Sequence, residues 1–130
     1  VAKKIITNDD VENVNKYILE VMQSYGIHIT AVYICPHDRA DGCKCIKPKS
    51  FFLKKAEKEH NIDLRNSFSL GDHPHDVELA NNVGGQGIFL LTGHGRKHLH
   101  ELAPSSMVFE NINEASEWIM SKNSNKLSAF

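Results

Sequence analysis

Fourteen residues, Cys35-Pro-His-Asp-Arg-Ala-Asp-Gly-Cys-Lys-Cys-Ile-Lys-Pro48, constrain this chain more than any other stretch. They hold all three cysteines, a histidine two positions after the first, and a lysine two positions after the last. Cys35-x-His37, followed after five residues by Cys43-x-Cys45, offers three thiolates and one imidazole. That donor set suits a tetrahedral zinc ion and fills its four positions, which makes the site structural rather than catalytic. Pro36 and the run from Asp38 to Lys44 contribute almost no apolar surface, so an ion would pin a loop that cannot pin itself. Two other readings stand beside this one: three unrelated cysteines with a chance histidine, or a Cys43/Cys45 redox pair. A Cys-x-Cys disulfide is strained, and neither reading accounts for His37.

Composition narrows the class. A chain of 130 residues has room for one domain burying roughly two-thirds of its unfolded surface. A hydrophobic fraction of 41% and a charged fraction of 24% are ordinary for a soluble protein, and no apolar run approaches the roughly 20 residues of a membrane span. Lys and Arg (15) nearly balance Asp and Glu (16), so no global field draws nucleic acid or an anionic membrane, and neither partner is expected. Val1 to Thr7 is too short for a signal peptide. With three clustered cysteines that cannot all pair, this points to the reduced cytoplasm. His60, His94, His98 and His100 lie in polar surroundings and read as solvated.

Local patterning predicts alternating helices and strands. Thr7-Asn-Asp-Asp10 resembles a capping box, and Val11, Val14, Ile18, Val21, Met22 and Tyr25 recur at helical spacing up to Gly26. The β-branched run Ile27 to Ile34 reads as a strand that delivers the chain to Cys35. Ser50 is placed to cap a helix over Phe51–His60, followed by a strand over Asn66–Leu70 and a helix over His75–Val83. A continuous apolar strand then covers Gly87–Leu91. Beyond it come a short helix over Arg96–Leu102, a strand over Met107–Phe109 and a last helix over Asn113–Met120. Residues 121–130 are expected to form a disordered tail. The pattern is that of an α/β protein with a Rossmann-like, mainly parallel sheet, one domain over 1–120 with its zinc loop at 35–45. Ligands of such sheets lie outside the carboxyl ends of the strands, where Cys35, Asp72 and Thr92 all fall.

Gly71-Asp72-His-Pro-His-Asp76 sets two carboxylates four residues apart at a strand end and in the first turn of the next helix. Such a pair suits magnesium, which takes one or two carboxylates plus waters and substrate oxygens. It equally suits a helix capped by Asp72, with Asp76 near its N-terminus. By itself Lys47 reads as a solvated surface lysine.

The order Lys47-Pro48, helix, strand, Gly-Asp-x-x-x-Asp76 resembles the later motifs of haloacid-dehalogenase-like (HAD) phosphatases. Tyr33-Ile-Cys-Pro-His37, Asp41-Gly-Cys-Lys-Cys-Ile-Lys-Pro48, Ser69-Leu-Gly-Asp72 and Leu90-Leu-Thr-Gly93 are similar to its zinc-containing branch. That branch includes heptose 1,7-bisphosphate and histidinol-phosphate phosphatases. The resemblance runs roughly over residues 7 to 95. It implies hydrolysis of a small phosphorylated sugar or related metabolite through an aspartyl-phosphate. In that reading Cys35, His37, Cys43 and Cys45 hold structural Zn2+, Lys47 neutralises the transferring phosphoryl group, and Asp72 binds catalytic Mg2+ with Asp76 supporting its loop. Phosphoryl transfer is mainly positioning and charge neutralisation, which is what a lysine and a magnesium ion supply.

The chain departs from the family pattern at three points. Ile46 stands where the branch commonly has a phosphate-binding arginine, and His73 stands where lysine or arginine often follows Gly-Asp. No Asp-x-Asp occurs in the sequence, although the family's nucleophile is the first Asp of that motif. Thr7 corresponds either to the family's phosphate-binding Thr/Ser or, the preferred reading, to a helix cap. His73 is the other candidate substrate contact. The expectation is therefore a sheet incomplete at the N-terminus and a nucleophile outside this chain, with the missing N-terminal half or a second copy of the chain as the partner. The 130 residues alone should give no magnesium-dependent turnover. The alternative is a catalytically inactive, zinc-stabilised binding or assembly module.

Overall fold

The computed structural model describes Val1 and residues 4–127, with side chains through residue 122. The chain divides into two compact units, Val1–Ile46 and Lys47–Phe130.

In the first unit Thr7 opens helix α1 (Asn8–Ser24) through a capping box. Its hydroxyl accepts the Asp10 N–H at 3.1 Å, and the Asp10 carboxylate accepts the Thr7 N–H at 2.8 Å. Two orphan donors of the first turn are thereby satisfied. After Tyr25 the chain leaves the helix through Gly26 at φ 73°, a left-handed conformation that glycine adopts without strain. The strand expected over Ile27–Ile34 does not form: residues 27–38 have no regular structure. β-propensity describes how a side chain fits a pleated, partnered surface, and no described strand in this unit offers a ladder. A 3-10 turn, Arg39–Asp41, is boxed by Asp38 and Asp41 and closed by Gly42 at φ 60°. No described residue of Val1–Ile46 is buried.

The second unit holds the core. Helix α2 (Phe51–His60) follows Ser50, which takes the cap position with no side-chain cap bond. Asp63 then organises a 3-10 turn, Leu64–Asn66, which leaves strand β1 only Phe68–Gly71. Helix α3 (Pro74–Asn81), strand β2 (Gln86–Leu90), helix α4 (Gly95–His98), strand β3 (Met107–Phe109) and helix α5 (Ile112–Leu127) complete it. A short 3-10 turn, Leu99–Glu101, extends α4. The last helix runs seven residues beyond the expected end at Met120, so the expected tail is helical to Leu127, and 128–130 lie outside the described residues.

The strands pair in parallel in the order β1-β2-β3, with Leu70 opposite Ile88 and Ile88 opposite Met107. Side chains alternate between faces along a strand. Ile88 and Leu90 therefore join Ala115 on one face, with Phe68, Leu70, Met107, Phe109, Trp118 and Ile119 packed around them. On the other face Gly87 lets α3 approach so closely that a Cβ there would overlap the Val77 backbone. Ile88 and Phe89 are completely buried. A central strand covered on both faces explains why Gly87–Leu91 is apolar without alternation.

Candidate functional site

Two groups of chemistry-bearing side chains form, one in each unit. In the first, Cys35, His37, Cys43 and Cys45 bring four donor atoms within 4.8 Å of one another. The sulfur separations are 3.2 Å (Cys35–Cys45), 3.7 Å (Cys35–Cys43) and 3.7 Å (Cys43–Cys45). His37 faces them through Nδ1, 3.3 Å from Cys45 and 3.7 Å from Cys35. Two sulfurs about 2.3 Å from one tetrahedral ion stand roughly 3.8 Å apart. The donor set thus has the spacing of the edges of a coordination tetrahedron.

The electrostatics point the same way. Partial burial pushes the Cys43 thiol up, but the Cys45 and Ile46 N–H groups and the neighbouring thiols outweigh it and bring it down to about 7. Cys45 is pushed up to about 12, first by its hydrogen bond to Cys35, then by burial and by Cys43. One sulfur is stabilised as thiolate while its neighbour resists ionising beside it. A cation among them removes that conflict. The group can therefore bind a metal ion.

The second group sits at the carboxyl end of β1 and the start of α3. Asp76 is buried and accepts the Lys47 ammonium at 2.6 Å. Its other oxygen lies 3.3 Å from the His73 N–H and closes a capping box. Gly71 makes this possible, because a Cβ there would overlap the Asp76 carboxylate. The Lys47–Pro48 segment is tied to α3 a second time by the Asn82 side-chain amide, which donates to the Pro48 carbonyl at 3.3 Å. Asp76 thus holds the Lys47 ammonium, and Asn82, at the C-cap of α3, holds the neighbouring Pro48 carbonyl. The pairing of residues 29 positions apart had no signal in the sequence.

Asp72 is more open, with a side chain 38% exposed. The His94 N–H donates to it at 2.8 Å and holds its carboxyl below the usual range against partial burial, helped by its own N–H and by the His94 and His73 rings. Gly93, at φ 56°, brings the loop this close, since a side chain there would strike Asp72. His73 caps α3 through Nδ1, which accepts the His75 N–H at 3.3 Å. Its ring stacks on His75 at 4.5 Å and lies 4.6 Å from His98.

Each predicted residue thus has a place. Lys47, Asp72, His73 and Asp76 gather around one strand end; the four metal donors gather in their own loop. Thr7 is an N-cap, with its hydroxyl committed to Asp10. His94 and His98 were read as solvated; the His94 side chain is, being 77% exposed, whereas His98 is not. His94 supplies the amide on Asp72, and His98 packs on His73 with its Nδ1 2.6 Å from Glu101. Neither role has a local signature, since both depend on the loop after β2 returning beside β1.

Residues 44–115 match the family model described as HAD-hydrolase-like. The chain belongs to that family. It is 28% identical over 127 residues to D-glycero-beta-D-manno-heptose-1,7-bisphosphate 7-phosphatase of Neisseria meningitidis serogroup A, covering 95% of this chain and 68% of that protein. The Helicobacter pylori protein of the same name is 32% identical over 114 residues, covering 87% of this chain and 63% of that one. The histidine biosynthesis bifunctional protein HisB of Actinobacillus pleuropneumoniae is 44% identical over 71 residues, 55% of this chain and 20% of that protein. In three dimensions the chain superposes on the D,D-heptose 1,7-bisphosphate phosphatase of B. bronchiseptica, solved with magnesium and phosphate. The TM-score is 0.84 at 24% identity, over 93% of this chain and 69% of that one. The α/β architecture with a parallel sheet is therefore that of a HAD-like protein.

Proposed function

We propose that the chain is part of a phosphatase acting on a small phosphorylated sugar of the heptose 1,7-bisphosphate type. The observation that carries this reading is the Lys47–Asp76 pair, a lysine anchored by a buried carboxylate beside Asp72 at a strand end. A substrate phosphate adjoining this strand end would meet the Lys47 ammonium, whose side chain is 61% exposed. Asp72, held ionised by the His94 amide, is the residue to hold Mg2+, and Asp76 keeps the loop in place. Magnesium supplies charge neutralisation at the phosphoryl oxygens. His73 lies near enough to Asp72 to serve as a further substrate contact. Zn2+ is assigned to Cys35, His37, Cys43 and Cys45 as a structural ion, and the cytoplasm is the compartment that keeps those thiols reduced.

No Asp-x-Asp exists in the sequence, so in this reading the attacking carboxylate comes from polypeptide outside these 130 residues. Its oxygen would bond to phosphorus as the ester oxygen leaves with a proton, and water would then hydrolyse the aspartyl-phosphate.

Phosphate release from sugar mono- and bisphosphates with Mg2+ tests both parts. The 130 residues alone are expected to give no turnover. Adding a polypeptide with an Asp-x-Asp strand is expected to restore it, and Lys47→Ala then to lower kcat about 100-fold or more. Turnover by the chain alone would show that the nucleophile lies within it. No turnover in either arrangement would leave a zinc-stabilised binding module.

A further inference from the structure

At the amino ends of β1 and β2, where Phe68 pairs with Gln86, a cavity of about 270 Å³ opens. It lies about three strand residues, or roughly 10 Å, from the end that carries Gly71 and Asp72. Phe68 and Trp118 form its apolar walls, edge to face at 6.0 Å. Arg65 and Lys122 also line it, and no carboxylate does. Among the described residues neither cation makes an ion pair. The Lys122 ammonium instead rests over the Trp118 ring, 5.2 Å from its centroid.

Asn66 and Ser67 complete the rim, but both are committed to Asp63: the amide donates to its carboxylate at 2.7 Å and the hydroxyl to its carbonyl at 2.6 Å. They brace the turn that carries Arg65. Gln86 reaches only the Met107 sulfur, at 3.8 Å, so its amide remains a usable donor. Arg65, Lys122 and Gln86 therefore line one small space beside Phe68 and Trp118, and the nearest acid to Arg65 in the turn, Asp63, is not among the lining residues.

We infer that this cavity is an anion site for the phosphate group of a small phosphomonoester, or for free phosphate, separate from the catalytic end of the sheet. Three donors of different reach suit an oxyanion with three free oxygens better than a carboxylate with two. The volume lies just below the range of drug-sized pockets, roughly 300–1,000 Å³, which favours a small ester over a nucleotide. Its occupation draws Lys122 from the Trp118 face to the ligand, because a charge-assisted hydrogen bond outweighs an exposed cation–π contact.

Trp118 is the only tryptophan of the chain, so its fluorescence reports on this cavity. The chain, loaded with zinc and without magnesium, is titrated with inorganic phosphate, a hexose monophosphate and acetate at matched ionic strength, with calorimetry in parallel. The expected result is saturable binding of phosphate or the ester, with the stronger of the two identifying the source, and none of acetate. Arg65→Gln and Lys122→Gln should each raise the half-saturating concentration about ten-fold while circular dichroism stays unchanged. Lys47→Ala should leave binding intact, which separates this site from the proposed active site. Absence of saturable binding, equal binding of acetate, survival in both cavity variants, or loss in Lys47→Ala would overturn the assignment.

Discussion

The two units solve the same problem by different means. Lys47–Phe130 buries Ile88 and Phe89 completely and encloses them with Val77, Leu79, Ala80, Leu90 and Ala115. Val1–Ile46 buries no described residue, and Val14, Tyr17, Ile18 and Tyr25 of its helix region remain exposed. Its order rests on end-of-element devices: the Thr7 and Asp38 capping boxes, Gly26 and Gly42 at positive φ, and a four-donor group. Apolar burial supplies most of the stability of a sheet with helices on both faces. A segment without it depends on something else, and here the metal donors are the strongest candidate on chemical grounds.

Metal removal should separate the units most sharply. A structural zinc ion typically binds with an apparent free energy of about 10–16 kcal/mol, so its loss exceeds any single side-chain effect. Chelation, or Cys45→Ser, is expected to abolish amide exchange protection over 35–46 while β1, β2 and β3 keep theirs. The untreated chain should contain one equivalent of zinc by elemental analysis. Retained protection in the metal-free chain would show that the loop holds itself.

Phe89→Ala is the converse experiment. Emptying a fully buried aromatic site typically costs about 3–5 kcal/mol, and Phe89 is 0% exposed. Urea unfolding followed at Trp118 should move to markedly lower concentration. Zinc content should not change. A coupled loss of metal would mean that the units are not energetically distinct.

The smallest effect concerns the cap of α1. Thr7→Ala should remove about 1 kcal/mol of helix stability, the usual worth of an N-cap. The same box should be acid-sensitive. Hydrogen bonds from the Thr7 N–H and hydroxyl hold the Asp10 carboxyl below its usual 3.8. A depressed carboxyl stabilises the fold above its unfolded pKa and loses that contribution as pH falls through the folded one. Helicity should therefore decline below about pH 4, and that decline should be lost in Asp10→Asn, as followed by circular dichroism. An identical acid profile in Asp10→Asn would remove Asp10 from the explanation.

How much was legible in the sequence depends on how local the signal is. Helix α2 begins at Phe51 and ends at His60 as read, and β3 spans Met107–Phe109 as read. The start of α1 followed from Thr7 and Asp10, and the metal group from four residues within eleven positions. The Ile27–Ile34 run failed as a strand because propensity cannot supply a neighbour. The end of α5 was misplaced because Ser121 to Leu127 shows no apolar periodicity. Yet the backbone there continues helically.

By itself the sequence determined the donor types, their spacing, the caps and the apolar strand at the centre of the sheet. Those depend on covalent neighbours and on side-chain chemistry, which the chain carries wherever it goes. Only the tertiary structure decided that Lys47 rests on a buried Asp76, that the His94 amide fixes Asp72, and that Arg65 and Lys122 meet around Trp118. Each of these joins residues far apart in the chain, and only the packing of α3, α5 and the loop after β2 against one sheet brings them together.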